Sequence, residues 1–181
     1  MMIPNEPVIY RNFITEDERV LLKQHALDLL YRGELGINIA TTGNYRNFKS
    51  FYKVDDLVLI HKELYHKIVN FLNLKEPVID PFLGIIISVI KPGGFIHEHR
   101  DQYSKGNGFP RHTHMRNVRF NVVIDRGDDE SYNPNINGVS YQVNKRDAWC
   151  FGASEIPHKT LTISGPENRI VYQFGFMMDA I

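Results

Sequence analysis

The sequence predicts an α+β chain in which two packing helices precede a barrel or jelly roll of short strands. Two observations predict it. Up to about residue 80 the apolar side chains recur every three or four positions, and beyond that point they come as short runs or alternations broken by Gly, Asn and Pro. A third observation concerns what the strands enclose: one alternating strand carries polar residues opposite its apolar face, which suits a lined cavity.

At 181 residues a single domain is expected, with 1–80 as a mainly helical support and 81–181 as the strand-rich core. Lys+Arg and Asp+Glu each total 21, so no global charge favours nucleic acid or an anionic membrane, and a small molecule or a peptide fits better as partner. Cys150 is the single cysteine, which excludes an intrachain disulfide and a cysteine-type zinc site. The N-terminal residues lack a basic segment followed by an apolar run, and no run reaches the roughly 20 apolar residues that span a bilayer. A cytoplasmic protein with no membrane partner is expected; the oligomeric state is open.

In chain order, Val8-Ile9-Tyr10 is long enough for an edge strand. Thr15-Glu16-Asp17-Glu18 has the form of a capping box, in which a hydroxyl accepts from an early helical N–H and a Glu three positions later reaches back. The helix it starts carries Val20, Leu21, Ala26, Leu27, Leu29 and Leu30 until Gly33 and Gly36 end it. Residues 36–54 read equally as strand or ordered loop, and Tyr45, Arg46 and Asn47 within them are candidates for a substrate mouth. Asp55-Asp56 can cap a second helix with Leu57, Ile60, Leu64, Ile68, Phe71 and Leu72, which places His61 and His66 on its surface.

The β-branched run 82–90 suits a strand buried on both faces. Pro92-Gly93-Gly94 turns the chain into a second strand, 95–101, which if extended projects His97, His99 and Asp101 to one side. After a polar stretch, 102–116, Val118, Phe120, Val122 and Ile124 form one face of a strand, and Arg119, Asn121 and Val123 form the other. Asn137-Gly138 is a type I′ hairpin signal, and 148–151, 159–163 and 170–177 complete the strands. Trp149 is expected in the core. His112 and His114 are expected in solvent, as are Lys105, Arg111, Arg116 and Arg119 taken as a local basic group.

Chemistry concentrates in His97-Glu98-His99-Arg100-Asp101, with His158 59 residues after His99 and Arg169 a further 11 on. Two imidazoles and a carboxylate occupy one face of a metal and leave the other open, the ligand set of non-haem Fe(II) oxygenases. His97 competes with His99 on spacing to Asp101. In the order His99-x-Asp101, His158, Arg169, and in the Pro-Gly-Gly turn, the Arg-Phe-Asn strand and the aromatic strand before His158, residues 82–178 resemble the Fe(II)- and 2-oxoglutarate-dependent dioxygenases. The likeness is nearest to the prolyl and aspartyl/asparaginyl hydroxylase branches.

That resemblance implies a double-stranded β-helix (jelly-roll, cupin-like) core. By position, His99, Asp101 and His158 would hold Fe(II), Arg169 would receive the distal carboxylate of the co-substrate 2-oxoglutarate, and Asn121 and Arg119 would bind the co-substrate or orient the ligands. The activity implied consumes molecular oxygen, converts 2-oxoglutarate to succinate, and hydroxylates a peptidyl residue or free amino acid. Oxidative demethylation of nucleic acid or protein is the alternative within the same chemistry. A cupin-like module that binds metal or ligand without turnover is the alternative outside it.

Overall fold

Alternation along the central strands creates two faces of opposite character, and the chain folds to bury one and enclose the other. The computed structural model describes residues 6–37, 45–101 and 115–179. Among them, β1 (Val8–Tyr10), β2 (Gly36–Ile37), β3 (Arg46–Phe51), β4 (Val78–Ile79), β5 (Ile85–Ile90), β7 (Met115–Asp125), β10 (Ala148–Gly152) and β12 (Arg169–Asp179) form one sheet. Its order is β1-β10-β7-β12-β5-β3-β2, with β4 also on β12. A second sheet, ordered β6-β11-β8-β9, contains β6 (Ile96–His99), β8 (Pro134–Ile136), β9 (Val139–Ser140) and β11 (His158–Thr160). Every pairing is antiparallel, and the whole is a double-stranded β-helix.

The outer face of the large sheet carries Ile85, Ile87 and Val89 of β5, Phe120 and Val122 of β7, and Tyr172 and Phe174 of β12. Two helices, α1 (Glu16–Tyr31) and α2 (Leu59–Phe71), cover this face with Leu22, Ala26, Leu29, Leu64 and Ile68. The inner face carries Ile86, Arg119, Asn121, Arg169 and Gln173, which line the cavity between the sheets. Residues 6–79 are not confined to helical support, because β1 and β3 pair directly with β10 and β5.

The Thr15 capping box is present with both of its hydrogen bonds, and β1 lies at a sheet edge as expected. Asn137 (φ 52°) and Gly138 (φ 79°) make the two-residue link between β8 and β9. Three local expectations are corrected. Val20 and Leu21 are 50% and 56% exposed while Leu22 is buried, because 22, 26 and 29 share one helical face. Asp55 and Asp56 belong to a short 3-10 turn and do not cap α2; Leu57 turns extended to enter the core, so the helix starts after Val58. Gly33 (φ 69°) alone closes α1, and Gly36 is already in β2.

His61 is a fourth correction. It stands three residues before Leu64 and seven before Ile68, on the buried stripe of α2, and is 0% exposed against Tyr172, Phe174 and Phe51. His66 is exposed as expected. Neither ring nitrogen of His61 has a hydrogen-bond partner. Burial, with a smaller contribution from His25, pulls its pKa down to about 3. The imidazole is therefore neutral in the folded state, and protonation below the unfolded value of about 6.5 favours the unfolded chain. Stability from this site is intact above that pH and falls as the pH drops towards 3. His61→Leu is expected to remove about 2 kcal/mol of the stability lost between pH 6.5 and 4.5, measured as the difference in urea unfolding between the two proteins. Equal acid sensitivity of the two would contradict it.

Candidate metal centre

Antiparallel pairing of β6 with β11 places His99 directly opposite His158. Side chains so paired start about 5 Å apart on one face, and the two rings end 4.3 Å apart between centroids. Asp101 lies two residues past His99, beyond the strand, where its N–H donates to the Ala153 carbonyl at 2.9 Å. Arg100 holds the same segment by donating to the Glu155 carbonyl at 3.0 Å.

The hydrogen bonds of the two rings decide which nitrogen faces inward. His99 Nδ1 lies 2.8 Å from the His97 carbonyl and His158 Nδ1 3.0 Å from the Ile156 carbonyl. A carbonyl only accepts, so each Nδ1 carries a proton, and in the neutral ring each Nε2 keeps its lone pair. Those Nε2 atoms lie 3.5 Å and 3.7 Å from Asp101 Oδ1. Three ligand atoms thus converge within 4.8 Å of one another. With both rings neutral and no cation, three lone pairs would oppose one another. The donor set and its outer hydrogen bonds fit a divalent metal such as iron.

The other carboxylate oxygen is held separately. Arg119 Nε donates to Asp101 Oδ2 at 2.7 Å, Nη2 to Asp80 Oδ2 at 2.9 Å and Nη1 to the Gly84 carbonyl at 3.0 Å. Burial opposes the Asp101 charge, yet Arg119 and the two histidines hold its carboxyl far below the usual range. Burial likewise lowers His158, more than the attraction of Asp101 restores. For His99 burial acts downward too, but the Asp101 and His97 hydrogen bonds outweigh it and the net shift is upward.

A cavity of about 490 Å³ opens from these residues across the inner sheet face. Arg169 is at the start of β12, 4% exposed, with Nε donating to the Tyr132 carbonyl at 2.9 Å and its guanidinium 5.6 Å from the Trp149 ring centroid. Burial, then Arg126 and Arg46, lowers its pKa to about 9. Asn121 accepts from Gln173 Nε2 at 3.1 Å, and its own buried Nδ2 has no partner.

His97 lines the cavity but is exposed, and its carbonyl rather than its ring serves the centre. Arg119 is no solvated basic residue; it is buried between two carboxylates. Lys105, Arg111, His112 and His114 lie outside the described residues. Asp80 and Gln173 were not singled out in the sequence. Alternation inward from Arg169 marks 171, 173 and 175, of which only Gln173 is polar, so the signal for it was present. Asp80 had none beyond a turn-forming Asp-Pro.

Solved structures share this fold at low sequence identity. A Pseudomonas putida prolyl-4-hydroxylase matches with a TM-score of 0.66 and 16% identity over 96% of this chain and 92% of its own. A Trichoplax adhaerens prolyl hydroxylase, in complex with a hypoxia inducible factor oxygen degradation domain peptide fragment, matches at 0.70 and 12% identity over 95% and 83%. HygX from Streptomyces hygroscopicus, with nickel and 2-oxoglutarate bound, matches at 0.66 and 8% identity over 94% and 82%. No family model matches the sequence, and no curated protein does. The likeness is one of fold. Among the described residues no helix is long and apolar enough to cross a membrane.

Removing Arg119 takes away the charged partner that Asp80 and Asp101, both buried, share. Arg119→Met is expected to cost about 3–5 kcal/mol of unfolding free energy and to weaken divalent-metal affinity by about 10- to 100-fold. Urea unfolding and a cobalt(II) titration check the two effects; an unchanged unfolding midpoint would contradict the buried pairing.

Proposed function

We propose that this protein is an Fe(II)- and 2-oxoglutarate-dependent dioxygenase that hydroxylates a peptidyl residue or a free amino acid. The observation that carries the reading is the convergence of His99 Nε2, His158 Nε2 and Asp101 Oδ1 at one end of a cavity that also holds a buried arginine. Among the described residues Arg169 has no carboxylate partner. The fold likeness to prolyl hydroxylases, and to a protein with nickel and 2-oxoglutarate bound, supports it.

His99, Asp101 and His158 would hold the iron. That iron would supply the redox chemistry by which molecular oxygen converts 2-oxoglutarate to succinate and carbon dioxide, one oxygen atom entering succinate and the other an unactivated carbon. The remaining work belongs to the chain. Arg169 presents a planar fork that takes the distal carboxylate in charge-assisted bonds. Asn121 offers the N–H donor that lacks a partner. Arg119 has its Nε, Nη1 and Nη2 engaged by protein oxygens and so orients Asp101, leaving Oδ1 for the metal. Trp149, Phe151 and Ile136 wall the cavity with apolar surface, which excludes water from the reacting centre.

Purified protein supplied with Fe(II), oxygen and 2-oxoglutarate is expected to form succinate slowly without any substrate. His99→Ala is expected to abolish this, and Arg169→Gln to raise the 2-oxoglutarate requirement at least about tenfold, as loss of one partner of a buried charged pair does. Succinate is followed by mass spectrometry. Absence of both succinate formation and 2-oxoglutarate binding in the wild type would overturn the reading.

A further inference from the structure

Beside Arg119 and Arg169, the cavity encloses an arginine, Arg46, that this chemistry does not use. Arg46, at the start of β3, reaches across β5, where its Nε donates to Ser88 Oγ at 3.0 Å. Its Nη2 lies 3.5 Å from Gln173 Oε1 on β12. The guanidinium is 4.9 Å from the Phe48 ring centroid, and Nη1 has no partner among the described residues. Burial, then repulsion by Arg119, lowers its pKa to about 10, with Asp101 acting the other way. No carboxylate of the described residues pairs with it. The segments 38–44 and 102–114 contain no Asp or Glu, so they supply none either. A cation held in a cavity by neutral groups alone is costly unless a ligand completes it.

Counting the enclosed charges bears on that ligand; of the other charged lining residues, Glu98 and Lys159 pair with each other and Arg100 is exposed. Counted over the described residues, Arg119 pairs with Asp80 and Asp101, a set with one net negative charge. A divalent metal turns that into one positive charge, to which Arg46 and Arg169 add two more. A bound dicarboxylate removes two of the three. One positive charge is left over. It falls on Arg46 because Arg169 is the more enclosed of the two, 4% exposed, whereas Arg46 is partly exposed and reachable after the deeper seat is filled.

The amide chain beside it gives Arg46 a further consequence. An arginine cannot accept, so Gln173 turns its oxygen towards Arg46 and its NH₂ towards the Asn121 oxygen. Asn121 then presents its own NH₂ as a donor. The cavity is therefore rich in donors, with no described carboxylate on either free arginine.

We propose that Arg46 is the seat for a carboxylate carried by the primary substrate, so that the hydroxylated molecule is an acid or an acidic residue of a peptide. This rests on the co-substrate reading above for the count of charges, and it concerns a different ligand. Phe48, beneath the guanidinium, together with Phe82 and Leu83, supplies the apolar surface on which the rest of such a substrate packs.

The test uses the zinc(II)-loaded protein, in which no turnover occurs, and reads the fluorescence of Trp149, the single tryptophan and a cavity residue. With saturating 2-oxoglutarate, two sets of matched probes are titrated: acetyl-capped amino acids against their amides, and capped tripeptides with central Asp or Glu against Asn or Gln. At least one carboxylate is expected to bind about tenfold or more tighter than its amide partner. The set in which this occurs tells a free acid from a peptide side chain.

Arg46→Gln is expected to erase the preference while weakening 2-oxoglutarate far less than Arg169→Gln does. Arg46→Lys, which keeps the charge, is expected to keep part of the preference. No preference in the wild type overturns the proposal, as does an Arg46→Gln loss of 2-oxoglutarate binding equal to that of Arg169→Gln, which would make Arg46 a second co-substrate clamp. If 2-oxoglutarate does not bind the wild type, the oxygenase reading fails instead, and the same titrations without it still show whether Arg46 selects carboxylates.

Discussion

The Arg119 guanidinium, buried between Asp80 and Asp101, is the interaction on which the site depends. It joins three pieces of chain that are distant in sequence: the turn at Asp80, the middle of β7 and the ligand-bearing segment after β6. Each neighbour is adapted to it. Asp80 accepts from the Phe82 and Leu83 N–H groups through Oδ1 and from Asn117 and Arg119 through Oδ2, so both of its oxygens are satisfied. At Gly84 the backbone takes a φ of +67°, and any Cβ there would run into the Phe51 carbonyl. At Gly175 a Cβ would stand 2.5 Å from Arg119 Nη1. The guanidinium fits because these two positions carry no side chain.

A strict alternation distributes the remaining work. On β12, Tyr172, Phe174 and Phe176 pack towards the helices, while Arg169 and Gln173 look into the cavity. On β7, Phe120 and Val122 pack outward, while Arg119 and Asn121 look inward. One sheet thereby supplies a hydrophobic core on one face and a polar wall on the other, without loops having to carry the wall. Strand residues with both neighbours hydrogen-bonded are held more rigidly than loop residues, which suits groups that line the candidate metal centre.

The smaller sheet contributes what the larger cannot. Its β6–β11 pairing sets His99 against His158, and carbonyls two residues upstream of each ring fix the tautomers. The two sheets therefore divide the centre: imidazoles from one, and the charge that orients the carboxylate from the other. Low identity to solved structures of the same fold agrees with this division, since a double-stranded β-helix needs only the alternation and a few turn residues to form.

By itself the sequence determined the strand faces, the Thr15 capping box, the Asn137-Gly138 link and the His99-x-Asp101 spacing, because each depends on neighbours a few residues away. It also marked Arg169 by order along the chain. It did not show that His61 is buried, since the neighbouring Ile60, four residues before Leu64, satisfies the helical spacing equally well. Nor did it show that Arg119 is a charge-balancing residue, or that Arg46 shares the cavity with Arg169. Those facts require knowing which strands lie side by side. Pairing of β3 with β5 and of β5 with β12 puts Arg46 and Arg169 opposite the same residue, Ile90. Burial of a charge is a property of the surroundings it finds there, and only the tertiary structure supplies them.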